Sequence, residues 1–234
     1  MPNEVILLLS VLVLFSLTVL AAKFFGEHGL VAWMVMATVL ANIEVLILVR
    51  AFGLEQTLGN VLFASISLST DILSELYGKK ASTRAVYISV LTSAVFMLIS
   101  QSWLLYTPSG ADWASPAIRE IFSNTPRLIF VSLAVYAISQ RLDVWLYYKW
   151  WAFTEKRFGD KRRGLWIRNK GSTLISQLVN SALFNFGAFW GVFDTRTLVS
   201  ITVSTYLIYV VGTALDTPFM YLARRICKPK VGAE

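Results

Sequence analysis

The chain has 234 residues, 56% of them hydrophobic and only 15% charged, with a mean hydropathy of +0.62. A soluble domain carries about 25% charged residues, so this composition excludes one and points to an all-α polytopic membrane protein. The net charge of +7 does not mark a nucleic-acid partner. The basic residues lie in short segments between apolar blocks, where they serve as topology signals.

Seven spans are predicted in a single membrane domain, at about 4–24, 29–50, 57–78, 84–106, 127–148, 170–192 and 198–223. The first contains "VILLLSVLVLFSLTVLAA" (Val5 to Ala22), which has no charge. Its leading Met1-Pro2-Asn3-Glu4 lacks the positive start of a secretory signal, so it is read as a retained helix. The third is the weakest span, because its second half is "SISLSTDILSELYGKK", and whether it crosses fully or re-enters is open. Between the fourth and fifth, "TPSGADWASPAIREIFSNTP" reads as an external loop with a short interfacial helix. "TEKRFGDKRRG" (Thr154 to Gly164) reads as a cytoplasmic connection.

All but four of the 21 Lys and Arg fall at Lys23, within 79–84, within 141–170, or from Arg224 onward. The positive-inside bias places those segments in the cytoplasm, with the N-terminus outside and the C-terminus inside. The single Cys227 forms no intramolecular disulfide, and His28 reads as a solvated loop residue. One Cys and one His exclude a His/Cys metal cluster, and no cofactor is expected.

An ionisable side chain at the centre of a span costs roughly 2.5–3.5 kcal/mol on insertion scales, so it usually faces a cavity or a partner. Five spans carry ionisable or other polar groups in such positions. The second has Asn42 and Glu44, and Glu44 has no basic residue within a turn of it. In the third, Ser67, Asp71 and Glu75 recur every four residues, on one helical stripe. The fifth offers Tyr136, Gln140 and Asp143, and the sixth Thr173, Gln177 and Asn180 or Ser181, with Asn185 further out. The seventh offers Tyr209, Thr213 and Asp216, just before Pro218.

Two readings stand for Asp71 and Glu75: inner wall of a cavity, or a helix end paired with Lys79 or Lys80. Asp216 has the alternative of pairing with Arg224 or Arg225. Turned inward together, the stripes would form a polar cavity near the midplane, with basic residues almost absent from it. Amides, hydroxyls, carboxylates and aromatics suit a neutral or weakly cationic planar heterocycle, and suit phosphate poorly. The glycines in "GNVLFAS" and "GAFWG" read as close helix-packing points.

Four stretches carry a family resemblance. "STDILSELYGKKAS" resembles a D-x-x-x-E-x-Y-G-x-x-x-A pattern, and "NTPRLIFVSLAVYAISQRLDV" a span opening on T-P-R. "GLWIRNKGSTLISQLVNSALFNFGAF" is similar to W-x-R-x-x-x-S-T-x-x-x-Q-x-x-D-S, and "DTPFMYL" to a terminal T-P-x-x-Y. In order and spacing, from about Asn42 to Arg225, they resemble the queuosine precursor transporters, formerly described as vitamin uptake transporters.

The resemblance implies import of 7-cyano-7-deazaguanine or its aminomethyl form, for transfer RNA modification, across the inner membrane of a prokaryote. It implies a six-helix core distantly like the substrate-binding subunits of energy-coupling-factor importers, with the first span an addition. Asn180 stands where the family commonly has Asp, and Tyr209 where many members have Lys; both exchanges remove charge. The alternative of another class is a binding subunit that needs a separate ATP-driven module, with 141–170 as docking surface. An embedded enzyme is the weakest reading, since no nucleotide-binding glycine loop or nucleophile–base pair is present. Homo-oligomerisation is left open.

Overall fold

The computed structural model describes residues 2–45, 47–123, 126–159 and 164–227. Helix α1 (Asn3–Glu44) is two helical segments joined at Gly26, whose φ of 62° and ψ of −138° are accessible to glycine without strain. Beyond that hinge the chain folds back. A Cβ at Gly29 would collide with the Ala21 carbonyl, and the start of α1 meets the segment that follows its end. Asn3 Nδ2 donates to the Arg50 carbonyl at 2.9 Å, and the Phe52 N–H donates to Glu4 Oε1 at 3.0 Å.

Here the structure corrects the expected second span, which stops at Glu44 rather than near residue 50. Strands β1 (Leu48–Ala51) and β2 (Leu54–Thr57) form an antiparallel hairpin with Ala51 opposite Leu54. Phe52 and Gly53 both have positive φ, which gives the tight turn a twist matching its strands. The apolar, β-branched run in "VLILVR" is as compatible with a strand as with a helix.

Helices α2 (Gly59–Tyr77) and α3 (Lys79–Trp103) follow, then the short α4 (Ser115–Phe122) in the expected loop. The bundle ends with α5 (Pro126–Phe158), α6 (Leu165–Phe189) and α7 (Thr195–Ile226). Most of the predicted connection 141–170 is therefore helix, since α5 runs about ten residues past its expected end and α6 begins about five earlier. Residues 160–163 of "TEKRFGDKRRG" lie outside the described residues.

Burial is inverted relative to a soluble protein. Every residue of α2 from Ser65 to Leu76 is buried, although this stretch holds four serines, Thr70, Asp71 and Glu75. The perimeter instead exposes Leu12, Val13, Leu91, Leu98, Phe130 and Leu207. A helix enclosed on all sides by protein has no lipid face and tolerates a polar sequence. The outer helices α1, α3 and α7 are long and apolar enough to cross a membrane. The chain is an integral, all-helical membrane protein apart from its hairpin. Around Ile72 of α2, Phe15, Leu30, Met34, Leu165 and Met220 complete an apolar core.

Candidate functional site

The stripe on α2 faces α6 and α7, and three successive turns of it meet three kinds of partner. The outermost is a narrow, partly open polar cleft, lined by Ala64 and Ser67 of α2, Thr173 and Gln177 of α6, and Tyr209, Thr213 and Asp216 of α7. Gln177 Nε2 donates to Ser67 Oγ at 3.2 Å. The Tyr209 hydroxyl donates to Asn60 Oδ1 at 3.0 Å and also lies within hydrogen-bonding reach of Asn180.

One turn along α2, about 6 Å further, Asp71 accepts from Asn169 Nδ2 at 2.7 Å and from the Thr173 hydroxyl at 3.4 Å. Thr217 bridges to the same layer, its one hydroxyl hydrogen shared between Asn169 Oδ1 at 3.4 Å and Asp216 Oδ1 at 3.3 Å. Asp71 Oδ1 has no hydrogen-bond partner among the described residues.

The third turn is a charge clamp. Arg168 Nε and Nη2 reach Glu75 Oε2 and Oε1 at 3.0 and 2.6 Å, while Tyr147 donates to Oε2 at 2.8 Å and Arg224 Nη1 lies 3.3 Å from Oε1. The Arg168 guanidinium also sits 4.2 Å from the centre of the Trp151 ring, a cation–π contact inside a desolvated site. Arg168 is fully buried, and burial of such a charge is sustained only by this degree of pairing.

The sequence-ranked residues fall into groups. Ser67, Gln177 and Asp216 line the cleft, Asn180 sits beside Tyr209, and Asp71 and Glu75 hold the two deeper layers. Gln140 accepts from Thr70 at 3.2 Å, and Asp143 accepts from Ser176 at 2.9 Å on the α5 side, with no hydrogen bond to its Oδ2 among the described residues. Asn185 is buried with its Nδ2 unpartnered. Asn42 bonds instead to Thr38 O and Ser93 Oγ, beside a separate Thr38–Tyr136–Ser89 chain linking α1, α3 and α5. Glu44 is half-buried at the end of α1. Neither lines the cleft.

Two pairings expected at the sequence level are replaced. Glu75 pairs with Arg168 and Arg224, not with Lys79 or Lys80, and Arg224 serves Glu75, not Asp216. Arg168 and Asn169, read as part of a cytoplasmic connection, are in the core. The signal for Asn169 was present, because Asn169, Thr173 and Gln177 recur every four residues and extend the α6 stripe back by one turn. Among the described residues, no group of three or more His, Cys, Asp or Glu is arranged to hold a metal ion.

A membrane-embedded bundle with a polar cleft in its core fits the class of membrane transporters. The profile described as "Putative vitamin uptake transporter" matches residues 57–223. A "Probable queuosine precursor transporter" of Bacillus subtilis (strain 168) is 36% identical over 212 residues, covering 91% of this chain and 90% of the relative. A "Queuosine precursor transporter" of Escherichia coli (strain K12) is 27% identical over 150 residues, covering 64% and 62%. No solved structure matches. The chain belongs to the queuosine precursor transporter family.

Proposed function

We propose that the protein imports a queuosine precursor base, 7-cyano-7-deazaguanine or 7-aminomethyl-7-deazaguanine, for transfer RNA modification. The observation that carries this reading is the cleft itself, whose polar lining consists of hydroxyls, one amide and one carboxylate, with no Lys or Arg. Such a lining matches a planar base with N–H donors and no phosphate. Ser67, Gln177 and Asp216 touch the base, Asp71 and Asn180 support that wall, and Gln140, Asp143 and Asn185 lie in its polar surround. Glu75 closes the far end of the path.

The membrane is the inner membrane of a prokaryote, with the N-terminus outside and the basic end of the bundle in the cytoplasm. Six crossings form the transport core and the segment before Gly26 is an addition. Uptake of labelled 7-deazaguanines into cells that cannot make them tests the proposal. Accumulation above the empty vector supports it, and no accumulation with correctly inserted protein overturns it. Tight binding without uptake would point instead to a subunit that depends on an ATP-driven module.

A further inference from the structure

Around the cleft, most hydrogen-bond donors are committed while two buried acceptors are spare. Tyr209 donates to Asn60, Thr213 to the Tyr209 carbonyl at 2.8 Å, Thr173 to Asp71, and Gln177 Nε2 to Ser67. Gln177 Oε1, by contrast, has no hydrogen-bond partner among the described residues, although the residue is only 5% exposed. Among the described residues, Asp216, 3% exposed, receives only the hydroxyl of its own neighbour Thr217, at 3.3 Å. Lys170 of α6 acts on Asp216 at longer range only. A buried acceptor without a donor costs free energy that an occupant supplying N–H groups would recover.

Resting on the substrate reading above, we infer that the cleft selects its ligand by donors: Asp216 and Gln177 read two neighbouring N–H groups, so the 2-amino group of a 7-deazaguanine is a required recognition element. The two coplanar oxygens of a carboxylate match the parallel ring N–H and amino N–H of an amino-pyrimidinone edge. Ser67, whose oxygen accepts from Gln177, keeps its hydroxyl hydrogen for the adjoining ring carbonyl. A 2-desamino base would enter with one donor missing and leave an acceptor buried and unpaired. A site built on hydrogen bonds rejects such an analogue far more strongly than an apolar pocket rejects a missing methylene.

Calorimetric titration of the full chain in detergent, with 7-cyano- and 7-aminomethyl-7-deazaguanine and the 2-desamino analogue of each, tests this. The amino compounds bind, and each desamino partner binds at least about tenfold more weakly. Affinities equal within about threefold, for amino and desamino forms alike, overturn the inference and leave the substrate reading standing. Binding of none of the four overturns the substrate reading and the inference with it. Asp216→Asn, which retains one acceptor, lowers the discrimination to a few-fold; full discrimination in that variant overturns the role of Asp216. The ligand series on the native chain decides the matter if the variant does not fold.

Discussion

Glu75 and Arg168 lie 93 residues apart in the chain and meet through two parallel hydrogen bonds with both side chains nearly or wholly buried. The pair fixes α2 against α6 at the basic end of the bundle. Removing one partner leaves the other charged and uncompensated, at a cost of about 3–5 kcal/mol, whereas replacing both with apolar groups is often close to neutral. Glu75→Gln is therefore expected to lower the unfolding temperature of the purified protein sharply. The double replacement Glu75→Leu with Arg168→Met recovers most of that loss but not uptake. A double variant as unstable as the single one would contradict this account.

Residues that line the cleft and residues that only resemble them by sequence are separable by transport. Gln177→Leu and Ser67→Ala each remove one member of a cleft hydrogen bond and should lower uptake about tenfold, the worth of one such bond. Glu44→Gln, at the end of α1, should leave uptake at the native level. Equal loss in all three would mean that the cleft is not the binding site.

The fold-back of α1 depends on the absence of a side chain at Gly29, since a Cβ there meets the Ala21 carbonyl and Phe25 Cβ. Gly29→Leu should destabilise the protein by about 1–3 kcal/mol through overpacking. Thermal unfolding of the variant in detergent measures it, and an unchanged midpoint would show that the two segments part easily.

Asp194, in the exposed turn before α7, accepts from the Thr197 N–H at 3.1 Å and from its hydroxyl at 2.6 Å. The Thr197 bonds hold its carboxyl below the ordinary aspartate range. A depressed folded-state value means that the cap stabilises the turn above the unfolded aspartate range and is lost as pH falls through the folded value. Amide exchange in the first turn of α7 should accelerate on acidification in the native chain. In Asp194→Ala it should be fast throughout, and a native-like pH profile in that variant would dismiss the cap.

The orientation is checked by chemistry at the loop between α3 and α4. Ser109→Cys in a Cys227→Ala background should react with an impermeant thiol reagent added to intact cells. Labelling only after lysis would reverse the proposed sidedness.

How far the sequence carries can be judged from single residues. Ser67, Asp71 and Glu75 were readable as one face because helical periodicity is local, and Gln177 and Asp216 for the same reason. What periodicity cannot supply is the partner across the bundle. Lys79 and Lys80 are near Glu75 in the chain, yet it is the long side chain of Arg168 that reaches it, from α6 across the bundle. Arg168 itself was hidden by its neighbours, since a charge beside Lys170 and a basic connection looks solvated until the helix is seen to begin at Leu165. The hairpin at Leu48–Thr57 was missed because a short apolar run has no period to distinguish strand from helix.

The enclosure of α2 also bears on how the molecule is made. During synthesis this helix emerges well before α6 and α7, so its carboxylates reach the insertion machinery with no guanidinium yet available to receive them. Lipid alone is a poor host for that segment. Its early shelter is α1, already folded back on itself, and its final place is secured only when the last third of the chain arrives. Premature termination anywhere before Arg168 should therefore yield a product that quality control removes, even though several apolar helices are complete.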